Sequence, residues 1–149
     1  MDLKNVINDD LIFLNETFND SSELFDFVAG ESTKLGLSKD TYAQALKDRE
    51  IEFPTGLQLE NYGVAIPHSD SVHINEEFIA VVTLKEPVEF KSMEDPDQSV
   101  ETRLVFVLGL TKAEDQLSTL QTIIQLIQDE SALEGILGAE TKEELLNKL

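Results

Sequence analysis

Two short segments, Phe78-Ile79-Ala80-Val81-Val82 and Leu104-Val105-Phe106-Val107-Leu108, are apolar without a break. A strand with one face in water alternates apolar and polar residues. A run that does not alternate belongs to a strand covered on both faces. Two such strands demand layers above and below them, and the flanking sequence supplies helices for both. Asp20-Ser21-Ser22-Glu23 has the form of a capping box. Behind it, Leu24, Val28 and Leu35 recur at helical spacing, and Gly36 is placed to end the helix. Ser38 is expected to cap a second helix carrying Tyr42, Ala45 and Leu46 on one face, stopped by Pro54. After the second apolar run, Leu117, Leu120, Ile123, Ile124 and Ile127 form the stripe of a long helix beginning near Glu114. A shorter helix is expected around Ala132 to Leu137. A last one is expected behind Thr141, with Glu144 at the capping-box position. Leu11 to Leu14 reads as an edge strand, and Leu57 to Leu59 and Val64 to Ile66 as two more. The stretch through Pro87, Met93, Asp95, Pro96 and Asp97 reads as a hairpin edge with an acidic loop. The expectation is an α/β fold, a mixed central β-sheet sandwiched between helices. No Gly/Ser linker, repeat or low-complexity tract interrupts it, so a single domain over 1–149 is expected.

Composition narrows the function. Eleven basic residues stand against 30 acidic ones, a formal charge of −19, which repels nucleic acid and anionic lipid and attracts a basic partner surface. The absence of cysteine removes disulfides, thiolate nucleophiles and Cys-type zinc sites, and fits a reducing compartment. No apolar run approaches the roughly 18 residues of a membrane span. Met1-Asp2-Leu3-Lys4-Asn5 has neither the basic stretch nor the apolar segment of a secretory leader, and none is expected.

The chain has only two histidines, His68 and His73, in one loop. Pro67 cannot donate to a ladder, so the strand through Ile66 should leave the sheet there and present His68 at its end. Ser69, Asp70 and Ser71 surround it with small polar groups. His68 and His73, with Asp70 and Glu76 nearby, offer nitrogen and oxygen ligands, but their spacing is not a standard zinc pattern. There is no G-x-S-x-G elbow, P-loop or dinucleotide fingerprint. Neutral imidazole is a nucleophile near pH 7 and forms phosphoramidates. Such chemistry needs positive charge or amide donors around the phosphoryl oxygens. Arg49 is the only arginine or lysine between Lys47 and Lys85. Its spacing leaves two readings open: a bidentate phosphate fork beside the Pro54-Thr55-Gly56 turn, or a charge complementing the end of its own helix.

Arg49-Glu50, Pro54-Thr55-Gly56 and Val64-Ala65-Ile66-Pro67-His68, in that order, resemble the enzyme IIA domains of the fructose–mannitol class of the bacterial phosphoenolpyruvate-dependent sugar phosphotransferase system. The resemblance runs from about Leu11 to the end. It implies the mannitol-type enzyme IIA fold and a cytoplasmic phosphocarrier without metal or organic cofactor. Such a domain accepts a phosphoryl group from HPr and passes it to an enzyme IIB that serves a membrane enzyme IIC. His68 takes the place of the phosphorylated histidine and Arg49 that of the phosphate-contacting arginine. Thr55, Gly56, Ser69, His73 and Gln116 are candidates for supporting the pocket. Gln116 stands where many members carry a second histidine, in Gln116-Leu117-Ser118-Thr119-Leu120. His73, five residues after His68, resembles the galactitol-type branch, so a galactitol or related polyol system is expected. The alternative is a regulatory module of the same family, whose phosphorylation controls a partner protein.

Overall fold

A computed structural model describes residues 3–149; Met1 and Asp2, part of the segment read above for a leader, lie outside the described residues. In chain order the elements are β1 (Ile7–Glu16), α1 (Ser21–Lys34), α2 (Tyr42–Glu52), β2 (Gly56–Gln58), β3 (Gly63–Ala65), β4 (Phe78–Lys91), β5 (Ser99–Gly109), α3 (Ala113–Ile127), α4 (Glu130–Leu137) and α5 (Lys142–Leu146). They build one five-stranded sheet of order β1-β4-β5-β3-β2. The sheet is mixed: β1 runs parallel to β4 and β3 parallel to β5, while β4/β5 and β2/β3 are antiparallel.

The two uninterrupted apolar runs are the paired centre of this sheet. Phe78, Ala80 and Val82, with Val105 and Val107, pack under α1 and α2. Ile79 and Val81, with Leu104, Phe106 and Leu108, pack under α3, α4 and α5. Successive side chains leave a strand on opposite faces, so each run feeds two cores at once. Beyond Leu84, β4 becomes alternating, with Val88 and Phe90 buried between exposed neighbours. There the hairpin is covered on one face only. It is longer than the hairpin edge read from the sequence, and Pro87 falls at the irregularity between Thr83 and Val88, where no ladder donor is required.

β1 extends well beyond Leu11–Leu14 and lies at the sheet edge. Its Asn8, Asp9 and Asp10 hid its length, because Asn and Asp are both depleted in strands. On an edge, such residues discourage further pairing. The Asp20 side chain caps α1 by accepting from the Glu23 amide at 2.9 Å. The helix closes on Gly36, at φ 78°. The Gly36 amide donates to the Thr33 carbonyl and the Leu37 amide to the Ser32 carbonyl, the paired bonds of a Schellman ending. Thr141 caps α5 through the Glu144 amide, as the spacing predicts.

Two expectations are corrected. Ser38 does not cap α2; Thr41 holds that position, without a side-chain cap bond. Ser38 is buried, its hydroxyl 2.6 Å from that of Ser32 and 3.0 Å from that of Thr33. The end of α1 has claimed it. Leu117 is 60% exposed. The buried line of α3 runs through Thr119, Ile123 and Ile127, and at 3.6 residues per turn Leu117 lies roughly 120° from it.

Candidate functional site

β3 ends at Ala65, and the sheet makes one more contact before the chain leaves. The Pro67 carbonyl accepts from the Leu108 amide at 3.0 Å, pairing His68 with Leu108. The proline therefore ends the ladder through its missing donor, while its acceptor still holds the segment to the last residues of β5. Tyr42 braces the same spot: its buried hydroxyl donates to the Leu108 carbonyl at 3.1 Å, and burial holds the phenol well above its usual pKa.

His68 is half-buried at this strand end. Its Nδ1 lies 3.0 Å from the Ile66 carbonyl. A carbonyl only accepts, so Nδ1 carries the proton and Nε2 is the lone-pair nitrogen. Among the described residues Nε2 has no hydrogen-bond partner. The imidazole pKa is lowered. Burial is the main cause; the Ile66 carbonyl opposes it, Arg49 adds to it and Asp70 opposes it. The ring is thus neutral at pH 7.

Arg49 occupies the last turn of α2. Its guanidinium carbon lies 4.5 Å from the centre of the Phe53 ring, a stacked cation–π contact four residues along the chain. Its one ion-pair contact among the described residues is loose: Nη1 stands 3.7 Å from a carboxylate oxygen of the largely exposed Asp70. Nε is buried without a partner. A buried donor left unsatisfied is costly; the rest of the guanidinium borders the cavity that also holds His68, where a cation can meet an arriving anion. Arg49, Thr55 and His68 line one open cavity of about 260 Å³, with Phe53, Met93 and Pro96.

Glu50 shapes this wall from behind. Its carboxylate accepts from the Thr55 amide at 2.7 Å and from the Thr55 hydroxyl at 2.8 Å. Burial pushes its pKa up from 4.5 to about 7, against the two Thr55 bonds, which lower it. The folded protein therefore holds this proton more tightly than the unfolded chain. Stability from this group is full below about 4.5 and is lost as pH rises through about 7. From the free-energy equivalent of a pKa shift, unfolding by urea at pH 5 and pH 8 should differ by about 2 kcal/mol more in the wild type than in Glu50→Gln. Equal pH slopes in the two proteins would contradict this.

The remaining sequence candidates scatter. Gly56 lies beside the cavity and not in its lining. Its carbonyl accepts from the Met93 amide at 2.8 Å, which ties down the 92–98 loop that brings Met93 and Pro96 over the cavity. A Cβ there would stand 2.6 Å from the Lys91 carbonyl oxygen, so Gly56→Ala should destabilise by about 1–3 kcal/mol in denaturant titrations. Ser69 is buried, its hydroxyl directed to the Asp70 carbonyl at 3.3 Å. His73 lies in a 3-10 turn, and its Nδ1 meets the Thr41 hydroxyl at 2.7 Å. Gln116 lies in the first turn of α3. None of these three lines the His68 cavity. Sequence reasoning passed over Phe53 and the clamp made by Glu50. The Arg49/Phe53 spacing of four residues was the available signal for the first. The second needs the turn and the helix in one frame.

The sequence profile of the family "Phosphoenolpyruvate-dependent sugar phosphotransferase system, EIIA 2" matches residues 5–149. The galactitol-specific EIIA component of Escherichia coli is 32% identical over 121 residues, covering 81% of this chain and 80% of that protein. The transcriptional regulator ManR of Bacillus subtilis is 31% identical over 116 residues, 78% of this chain and 16% of that protein. Among solved structures, mannitol IIA of Escherichia coli superposes with a TM-score of 0.79 at 23% identity, covering 95% of this chain and 97% of that one. That likeness bears out the mannitol-type fold read from the sequence. On the profile match and the galactitol relative together, this chain belongs to the EIIA type-2 family of the phosphoenolpyruvate-dependent sugar phosphotransferase system.

Proposed function

We propose that this protein is a phosphocarrier that takes a phosphoryl group from phospho-HPr onto Nε2 of His68 and passes it to an enzyme IIB, in the uptake of galactitol or a related polyol. The observation that carries the reading is the hydrogen bond from Nδ1 of His68 to the Ile66 carbonyl, in a cavity that Arg49 also lines. It fixes the tautomer with the Nε2 lone pair free. That lone pair attacks phosphorus, the nitrogen–phosphorus bond in the donor breaks, and the donor imidazole leaves. The proton stays on Nδ1, which keeps donating to the Ile66 carbonyl as the ring gains positive character. Arg49 receives the equatorial oxygens, where charge is spread during transfer. Transfer to the next carrier reverses these steps.

The galactitol relative supports the polyol branch. A solved complex of the mannitol IIA with its phosphorylated IIB supports a IIB as acceptor. No helix among the described residues is long and apolar enough to cross a membrane. The test is phosphorylation by phosphoenolpyruvate, enzyme I and HPr, followed by addition of purified IIB proteins. One acid-labile, base-stable phosphate per chain is expected, discharged fastest by a galactitol-type IIB. A chain that takes up no phosphate overturns the reading. A chain that is labelled but discharged by no IIB favours the regulatory alternative, to which the similarity with ManR points.

The formal charge of −19 adds an expectation about encounter. A basic donor surface is drawn in by this field, so the second-order transfer rate should fall as salt rises from about 0.05 to 0.5 M, where the screening length shrinks below about 5 Å. A rate indifferent to salt would exclude electrostatic steering.

A further inference from the structure

Glu50 stands between two cavities. On one side its carboxylate holds Thr55, which lines the His68 cavity. On the other it lines a separate open cavity of about 540 Å³ between the start of α1, α2 and the far part of β4. Glu50 does not line the His68 cavity and touches no reacting atom. Both of its oxygens are committed to one residue of that cavity's wall.

We propose that Glu50 is a positioning residue for the phosphoryl pocket, setting the direction of the Thr55 hydroxyl according to whether its carboxyl carries a proton. The inference rests on the assignment of His68 as the phosphoryl acceptor. An ionised carboxylate only accepts, so it holds the Thr55 hydroxyl as donor, with its hydrogen directed to Glu50. A protonated carboxyl donates to the Thr55 oxygen instead. The hydroxyl hydrogen is then free for a phosphoryl oxygen, while the Thr55 amide keeps its bond to the other carboxyl oxygen. The proton comes from water through the larger cavity. Thr55 is itself buried, so a hydroxyl released there has few competing partners.

The charged groups around Glu50 are already engaged. Lys47 of α2 pairs with Asp26 at 2.8 Å, and Lys91 of β4 pairs with Glu89 at 3.1 Å. Asp20 caps α1, and Arg49 lines the His68 cavity. No ion pair reaches Glu50 among the described residues. Burial therefore governs its titration and raises it to about 7, where both states are populated. Coupling is reciprocal: a phosphoryl group on His68 favours the donating hydroxyl and so favours the proton on Glu50.

The experiment measures the rate of phosphoryl uptake from phospho-HPr between pH 6 and pH 8.5 in the full chain. Each rate is expressed as a ratio to that of Glu50→Gln, which cancels titration of the donor. Glutamine accepts through its oxygen and donates through its amide, so it mimics the protonated acid. Its uptake should equal the wild-type rate near pH 6 and exceed it by roughly tenfold near pH 8, the worth of one hydrogen bond to a charged group. Thr55→Val should be slow throughout, with no step near neutrality, and Thr55→Ser should restore the step. A purely structural Glu50 would not make the glutamine variant faster than the wild type.

A wild-type to Glu50→Gln ratio that does not change with pH overturns the inference, as does wild-type uptake by Thr55→Val. Should the glutamine variant not fold, carbon-13 titration of Glu50 in the wild type decides. Its midpoint should rise on phosphorylation, and an unmoved midpoint overturns the inference. Absence of uptake by the wild type itself would instead overturn the His68 reading.

Discussion

His68→Ala should take up no phosphate from phospho-HPr, with labelling at background. This is the largest effect expected of any single substitution, because it removes the proposed nucleophile and not a group that assists it. His73 cannot replace it. Its Nδ1 is engaged with Thr41 at 2.7 Å, and it does not line the cavity that holds His68, Arg49 and Thr55. His73→Ala accordingly keeps its label. The pH response follows from the lowered imidazole pKa: the lone pair at Nε2 persists at and above neutral pH and is lost only on acidification below the ordinary histidine range. Full labelling of His68→Ala would end the proposed function.

Arg49→Ala should slow phosphoryl uptake by roughly 10²-fold or more, the usual consequence of removing one placed donor from a charge-developing site. Arg49→Lys recovers only part of that loss. A lysine has no planar fork and stacks poorly on Phe53, the ring that fixes the guanidinium 4.5 Å from its centre. Stability should change little in either variant. The ion pair lost, among the described residues, is the loose contact with Asp70, and surface pairs of that kind contribute about 0–1 kcal/mol. Uptake at the wild-type rate in Arg49→Ala would assign the side chain to the end of α2 alone, the other reading its spacing allows.

Legibility followed the range of the interaction. Apolar periodicity and caps act over a few residues, so α1, α3, α5 and the two central strands were readable. The errors arose where packing, and not local residue type, decided. Ser38 has the chemistry of a helix cap, but the hydroxyls of Ser32 and Thr33 hold it. Leu117 fits an apolar stripe whose buried line, in the fold, passes through Thr119. Asn8, Asp9 and Asp10 concealed half of β1, because edge position, not composition, permits a charged strand.

The site divides in the same way. His68 and Arg49 were candidates from residue type, from Pro67, and from the ordered resemblance to a family. Gln116, His73 and Ser69 were candidates from sequence proximity or family position, and folding places them outside the His68 cavity. The paired apolar runs by themselves determined that this chain builds a doubly covered sheet, since no other arrangement buries both faces of an uninterrupted strand. Only the tertiary structure decided what stands at the end of that sheet. The Nδ1 bond that frees Nε2, the guanidinium with a donor to spare and the carboxylate gripping Thr55 depend on distance and direction, which sequence order does not encode.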